Sequence, residues 1–455
     1  MSSKTKKNGK KKKIIFPPMS ALPYNYGIVM RIYPSCEQKR IIDSNIDADR
    51  WFYNKLVEWG KKRLPKTNGN FPIFDVERNR CDEWMSQKLT IAKSMYGWLN
   101  NEDLDSLTFV NAKRTYNRAW ENCKKFGTKP PKFHSKTIYQ SYQTSCLYQG
   151  PVLQRKGEHP DLSNGSVRFE NDSNFIVLPK IGRIRYACSD ELVKRLKKLA
   201  SNHLVRIGTV TIRKTPTGEY CCSMQLASDA PFVNGLPKIG EDSKVGIDLN
   251  LSNFLTDSDG NVVDTPKFYR LKKKDLAKAQ HKQGKKLSMR KRHLKVDQKT
   301  NLTHKQKRSA KNYQKQCIKV AEIHKKIMNQ RKDFLEKLSL RYIKNHDVIV
   351  AEELRSKNLL KNHKLALSIQ DSGWRTFLTM LERKAAMYGK TFITVDPKNT
   401  TQTCSFCGHV MSGKKKIGLG VEEWTCPKCG THHIRDYNAA KNILSKGLQV
   451  LAPAS

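Results

Sequence analysis

Acidic residues are scarce in this chain. Against 86 Lys and Arg stand 41 Asp and Glu, a formal net charge of +45 over 455 residues. A surface so short of negative charge repels itself unless a polyanion neutralises it. Nucleic acid is the first candidate, because neutralised phosphates release counterions and that release drives binding. An anionic membrane surface is the rival. Long apolar runs are also missing. Nothing approaches the roughly 18 apolar residues of a membrane span, and the N-terminal segment lacks the apolar core of a signal peptide. The expectation is a soluble, intracellular chain with no membrane partner. Framework cysteines are absent too. Of 12 cysteines, eight (Cys36, Cys81, Cys123, Cys146, Cys188, Cys221, Cys222 and Cys317) are scattered without a disulfide spacing, so reduced thiols are expected. The length allows two to four domains with a proper core.

What is present reads in order along the chain. Residues 1–13 hold seven lysines and no acid. Such a segment cannot fold on itself and reads as a disordered arm, taken here as residues 1–23. It either touches phosphate or serves as a nuclear import signal. Tyr24–Tyr33 reads as a strand, and a helical pattern opens at Pro34-Ser35, interrupted at Asp49. Pro65–Pro72 reads as a loop, and Val76–Phe126 as two or three helices stopped by Pro130-Pro131. Tyr116, Arg118, Trp120, Lys124, Lys125 and Phe126 interleave aromatic with basic residues. That pattern can bind bases and phosphates, but aromatics at helical spacing more often form core. Short β-like runs follow at Phe175–Leu178, Val205–Ile212 and Tyr220–Leu226, with a helix at Asp190–His203. The pattern gives a small barrel or sheet over 24–34 and 129–230, with the helices of 35–128 inserted. Residues 231–243, rich in Pro and Gly, mark a linker and the main domain boundary.

Beyond the linker the chemistry-bearing residues begin. Lys244–Leu249 is a strand carrying Asp248, and Asn253–Thr256 turns through Ser258–Asn261 into Val262-Val263. A buried, charged, unpaired aspartate costs several kcal/mol, so Asp248 is exposed, hydrogen-bonded or holding a cation. Asp257 and Asp259 read as turn residues. Residues 267–315 hold nineteen Lys and Arg against Asp275 and Asp297. This basic helical segment, broken near Gly284 and Lys299–Thr303 and continuing to 345, is expected to face nucleic acid. Val348–Leu354 is a strand with Glu352 and Glu353 at its end. Side chains alternate across a strand, so only one of the two glutamates can point to a site beside Asp248. A helix from Ser368 to Gly389 and a strand at Thr391–Val395 complete the segment.

Cys404, Cys407, Cys426 and Cys429 follow in the spacing Cys-x2-Cys-x18-Cys-x2-Cys. Two such knuckles place four thiolates round one structural Zn²⁺ and leave no position open for chemistry. His409, His432 and His433 could substitute as ligands, but with four cysteines available they are expected to contact phosphate or water. Asp436 comes at the start of a helix just after the ribbon. Three acids on separate elements, Asp248, Glu352 and Asp436, point to a phosphodiester-cleaving site. There, two Mg²⁺ ions about 3.5–4 Å apart activate a water and stabilise the leaving oxygen. Mg²⁺ keeps several waters, so few carboxylates suffice.

The motifs V-G-I-D-L, V-I-V-A-E-E-L and R-D-Y-N-A-A-K-N-I, with D-P-K-N-T-T-Q-T-C-S-F-C-G before the third, resemble the TnpB/Fanzor family. These are transposon-associated RNA-guided nucleases related to type V CRISPR effectors. More loosely, R-I-Y-P-S-C-E-Q-K, D-R-W-F-Y-N and V-L-P-K-I-G-R-I-R resemble segments of the family's N-terminal half. The resemblance implies a multidomain α/β and α+β fold: a wedge-like β-barrel with an inserted helical recognition lobe, then a RuvC-like RNase H fold over 244–396 and 431–455. It implies a zinc ribbon over 397–430 that binds target nucleic acid. It assigns Asp248, Glu352 and Asp436 to Mg²⁺, choosing Glu352 over Glu353, and Cys404, Cys407, Cys426 and Cys429 to Zn²⁺. Asn250 stands where the family often has Gly, and Ile434 where an acid is common. The lysine tail tilts the resemblance toward the eukaryotic or viral Fanzor branch and toward the nucleus; a prokaryotic source would mean cytoplasm or nucleoid. The implied function is a DNA endonuclease guided by a bound structured RNA, which reads a short flanking motif. Its partners are guide RNA and double-stranded target DNA. The rivals are a non-cleaving guide-directed regulator and an RNA-independent transposase or resolvase-like nuclease.

Overall fold

The computed structural model describes residues 17–63, 78–148, 159–171, 173–240, 243–250, 252–299, 311–353, 371–413, 416–418 and 420–452. The lysine run, the loop at 65–72 and most of the break at 299–303 lie outside them. The chain forms two units, Met1–Phe232 and Val233–Ser455. No described helix is long and apolar enough to cross a membrane.

In the first unit, Ile28, Met30 and Ile32 turn to one face of Tyr24–Tyr33 (β1) and are buried there, as alternation along a strand requires. Cys36–Arg63 (α1), Arg78–Met95 (α2) and Ser106–Phe126 (α3) follow in the chain. Then come Ser141–Ser145 (β2), Arg168–Phe169 (β3), Phe175–Leu178 (β4), Gly182–Ala187 (β5), Asp190–Asn202 (α4), Val205–Lys214 (β6) and Tyr220–Ser228 (β7). The strands build one antiparallel sheet in the order β2-β6-β7-β1-β5-β4-β3. Among the described residues no ladder joins β2 to β3, so the barrel expected from the sequence is a seven-stranded sheet, not a closed one. Its two ends still meet. Leu147 N donates to Ser166 Oγ at 2.8 Å and Ser166 N to Leu147 O at 2.9 Å. One core, including Tyr142 and Phe169, lies within the curve.

The helices share a separate core of Phe52, Leu56, Met85, Phe109, Tyr116 and Trp120. The aromatic half of the aromatic–basic stretch is therefore mostly packing, with Phe126 left exposed at its end. Helix α1 runs unbroken through Asp49, where the sequence pattern expected an interruption. Asp49 is only 3 % exposed, and one carboxyl oxygen has no partner. Burial pushes its carboxyl up to about 7, against a hydrogen bond from Tyr139 and the charge of Arg50. Burial thus favours the neutral form of Asp49 below about pH 7, which weakens the charge that broke the apolar pattern.

The second unit contains Lys244–Asp248 (β8), Leu255–Asp257 (β9), Val262–Val263 (β10), Phe268–Lys299 (α5), Lys311–Asn345 (α6) and Val348–Glu352 (β11). Trp374–Tyr388 (α7), Thr391–Val395 (β12), Glu423–Thr425 (β13), His432–Ile434 (β14) and Arg435–Leu451 (α8) complete it. The main sheet runs β10-β9-β8-β11-β12. The pairings of β10 with β9 and β9 with β8 are antiparallel, and those of β8 with β11 and β11 with β12 are parallel. Val245, Ile247, Ile349 and Ala351 face a core shared with Leu335 and Leu338 of α6 and Phe377 and Leu381 of α7. Val350, one residue out of phase, packs on the opposite face with Ile443 of α8.

Helix α8 lies on that face at backbone distance. A methyl group on Gly246 of β8 would sit 2.2 Å from Ala440 O and 2.7 Å from Leu444 N. One on Gly447 of α8 would sit 2.5 Å from both γ-carbons of Val350. Turn residue Asp257 is more than a turn residue. Its Oδ1 accepts from Asp259 N and Asn261 N, and its Oδ2 from the Tyr342 hydroxyl of α6 at 2.8 Å.

Gly246→Ala is expected to cost about 3 kcal/mol in unfolding measurements, because backbone rather than a mobile side chain must yield. Gly284→Ala, in open space on α5, should gain roughly 0.5–1 kcal/mol. For Asp49 the folded carboxyl titrates above its unfolded value. Native stability therefore falls by about 1.4 kcal/mol per pH unit between the two values as pH rises. Asp49→Asn should flatten melting temperature against pH between about 4 and 7 and gain most at the alkaline end.

Candidate functional site

The acids singled out in the sequence come to the face covered by α8. Asp248 lies two residues beyond Gly246, and Glu352 two beyond Val350, so both share that face. The register pairs Gly246 with Val350 and Ile247 with Ala351; one further step sets Glu352 alongside Asp248. Neighbouring strands are about 4.8 Å apart. Asp436 stands in the first turn of α8, where the helix dipole favours a carboxylate. Glu353 is exposed, and its N–H donates to Val395 O at 2.8 Å.

The electrostatics follow from this crowding. Asp248 is 6 % exposed. Burial, then the charges of Glu352 and Asp436, hold its carboxyl well above the usual carboxylate range, against Arg435 and Asn250. Burial also raises Glu352, opposed by the Thr400 hydroxyl and Lys446, with Asp396 adding to the rise. Asp436 is raised by burial and by Glu422, against Arg435. A bound divalent cation reverses such a balance. All-oxygen donors on rigid strands and a helix suit a hard cation such as Mg²⁺. Among the described residues, the four-cysteine group is the one set of three or more Cys, His, Asp or Glu with ligand atoms all within 4.8 Å. The three carboxylates are set wider, which two ions about 3.5–4 Å apart can accommodate.

The thiols are already in place. Cys404 and Cys429 Sγ are 3.7 Å apart, and so are Cys407 and Cys426 Sγ. A tetrahedron with Zn–S of about 2.3 Å has edges of about 3.8 Å. The two knuckles repeat one pattern. Cys404 N donates to His409 O and Gly408 N to Cys404 O; Cys426 N donates to Thr431 O and Gly430 N to Cys426 O. Gly408 and Gly430 have φ of 72° and 71°, the left-handed region that favours glycine. The Thr431 hydroxyl and N–H hold the Cys429 thiol down to about 6. The expectation that the histidines contact phosphate or water does not hold for His433. It is buried, its Nε2 lies 3.0 Å from Cys404 Sγ, and its ring rests on Trp424. Strand β14 pairs with β13, so the hairpin passes the expected ribbon end at 430 and runs into α8.

Residues that sequence reasoning passed over tie ribbon to sheet. Asn438 and Asn442, one turn apart on α8, both donate to Thr403 O, at 2.8 and 2.6 Å. Asn442 Nδ2 also reaches Thr400 O at 2.8 Å, and Ser405 N donates to Asn438 Oδ1 at 2.9 Å. The i, i+4 spacing within N-A-A-K-N was the available signal. On α5, Lys273, Lys274, Lys278, Lys282, Lys285 and Arg290 are exposed. Asp371 accepts from Tyr269 N at the helix start and pairs with Arg331 of α6 at 2.6 Å.

Residues 223–363 match the family model OrfB_IS605, described as "Probable transposase", and residues 374–443 match "Cas12f1-like, TNB domain". The two models cover the segments that supply β8, β11, the ribbon and α8. Over these segments the chain is similar to TnpB-like transposases. A Streptomyces pristinaespiralis relative named "Putative RNA-guided DNA endonuclease" is 36 % identical over 245 residues, 54 % of each chain. "Putative RNA-guided DNA endonuclease InsQ" of Escherichia coli (strain K12) is 28 % identical over 301 residues, 63 % of this chain and 65 % of that one. "TnpB-like protein L79" of Acanthamoeba polyphaga mimivirus is 31 % identical over 133 residues, 28 % of this chain and 24 % of that one. The chain thus spans between about a quarter and two thirds of the length of these curated relatives. A cryo-EM structure of a Cas12f1–sgRNA–target DNA complex aligns loosely, at TM-score 0.46 and 15 % identity, over 92 % of this chain and 98 % of that one.

The thiol geometry predicts one zinc per chain by elemental analysis, and its loss in Cys426→Ala. Trp424 packs with Cys404 and Cys426, so chelation should change tryptophan emission. Full zinc content in the variant would overturn the four-cysteine site.

Proposed function

We propose that this chain is an RNA-guided DNA endonuclease that cleaves with Mg²⁺ held by Asp248, Glu352 and Asp436. The observation that carries the reading is that two adjacent parallel strands and the helix laid over them bring three carboxylates to one face. Mg²⁺ ions would supply an activated water and charge stabilisation at the leaving oxygen. The protein's share is rigidity. Asp248 and Glu352 end paired strands, and Asp436 starts a helix packed closely on Gly246. Because Asp248 resists ionisation alone, cation binding there is coupled to proton release.

The mixed sheet supports an RNase H-like, RuvC-type domain, and the cysteine cage supports a structural Zn²⁺ at Cys404, Cys407, Cys426 and Cys429. The net charge of +45 and the lysine-lined α5 support guide RNA and target DNA as partners. The names of the Streptomyces and Escherichia relatives support guidance by RNA. In this reading the helices of 35–128 form the recognition lobe, the curved sheet the wedge, and the ribbon binds target nucleic acid. The lysine tail is a nuclear address.

Chain purified with its co-isolated RNA should cut matched duplex in Mg²⁺, and Asp248→Ala should lower the rate more than about 100-fold. Cleavage surviving in Asp248→Ala overturns the triad. Guided binding without any cleavage by the wild type favours a regulator instead. Full activity without a discrete RNA favours an unguided nuclease.

A further inference from the structure

Thr400 lies in the turn between β12 and the first knuckle and is 2 % exposed. Its hydroxyl donates to Glu352 Oε1. The hydroxyl is also 3.0 Å from Pro397 O, but it has one proton, and a carboxylate is the stronger acceptor. The residue itself is held from behind. Asn442 Nδ2 donates to Thr400 O at 2.8 Å, from the helix that carries Asp436. Two residues on, Gln402 bonds the ribbon's far side, donating to Ile417 O at 3.0 Å and accepting from Ile417 N at 2.8 Å. The loop is thus fastened to α8, to the ribbon and to one oxygen of Glu352.

From this geometry we infer that Thr400 is the positioning residue of the Glu352 carboxylate. It occupies Oε1, fixes the rotation of the group and leaves Oε2 to a cation. The ribbon and α8 hold Thr400 in turn, so the state of the cysteine module reaches Glu352 through this hydroxyl. The inference rests on the proposed role of Glu352 as a metal-binding carboxylate. A residue that merely fills space would tolerate valine, which has the shape of threonine without the donor.

The test compares full-length wild type, Thr400→Val and Thr400→Ser. Mn²⁺ serves as the probe, since carboxylate sites that suit Mg²⁺ also suit Mn²⁺. Binding is read by the paramagnetic resonance signal of free Mn²⁺, without RNA or DNA; zinc content is measured on the same samples. Thr400→Val is expected to keep its zinc and to weaken Mn²⁺ binding about 10–100-fold, the usual effect of losing a residue that orients a ligand. The Mg²⁺ concentration for half-maximal cleavage should rise with it. Thr400→Ser should restore both. If valine disturbs the ribbon, Thr400→Ala removes the donor without that branch and decides the matter by the same readings. Wild-type Mn²⁺ affinity in the donor-less variants overturns the inference, and so does impairment that serine fails to rescue. Wild type that binds Mn²⁺ through Glu352 yet cuts nothing sinks the nuclease reading alone. Mn²⁺ binding that survives Glu352→Gln sinks both.

Discussion

The second unit depends on one close approach. Helix α8 rests main chain against main chain on β8 at Gly246, and its Gly447 lies against the Val350 side chain of β11. Ala439 and Ala440 keep the helix flank small at the contact and are fully buried. A larger residue at either glycine would lift the helix and carry Asp436 away from the strand ends. The distance between the third carboxylate and the other two is therefore set by missing side chains, several residues from the acids themselves. Dense packing transmits such displacements instead of absorbing them.

The two candidate metal centres solve opposite problems. The cysteine sulfurs lie 3.7 Å apart in pairs, close to the edge of a zinc–thiolate tetrahedron. The carboxylates are set wider, and burial raises each of them, with the charges of Glu352 and Asp436 adding to the rise at Asp248. Only the surrounding framework, strands below and helix above, prevents their dispersal. A soft, closed centre held by two knuckles is thus joined to a hard, open one held by strands and a helix. The joint is the short loop that Asn438 and Asn442 hold.

Much of this was legible in the residues. Strand alternation put Asp248 at the end of an apolar strand and made Glu352 and Glu353 alternatives, and cysteine spacing gave the ribbon. The short mixed-sheet strands were legible because β-branched runs between turn residues are local signals. Asp49 was not legible, because a buried acid reads as a break in an apolar pattern and its protonation is a property of the assembled core. Nor was the burial of His433 against Cys404, which depends on a hairpin register. Closure of the first sheet was beyond reach as well. Whether its ends form a ladder or meet through Leu147 and Ser166 depends on how the sheet curves, which no local pattern encodes.

The fastening of the ribbon at both feet has a consequence for how the chain can vary. Its entry is clamped at Thr400, Thr403 and Ser405, and its exit is β14 continuing directly into α8. The stretch between Cys407 and Cys426 bears on both feet: Met411 and Ile417 bond back to Gln402 at the entry, and Glu422 O accepts from Arg435 N at the exit. Closure entropy grows so slowly that doubling a flexible loop costs only about 0.6 kcal/mol. Length and sequence are therefore freer only between those tethers. This is where insertions can accumulate, or a foreign segment be grafted, while the spacing of the three acids stays as it is.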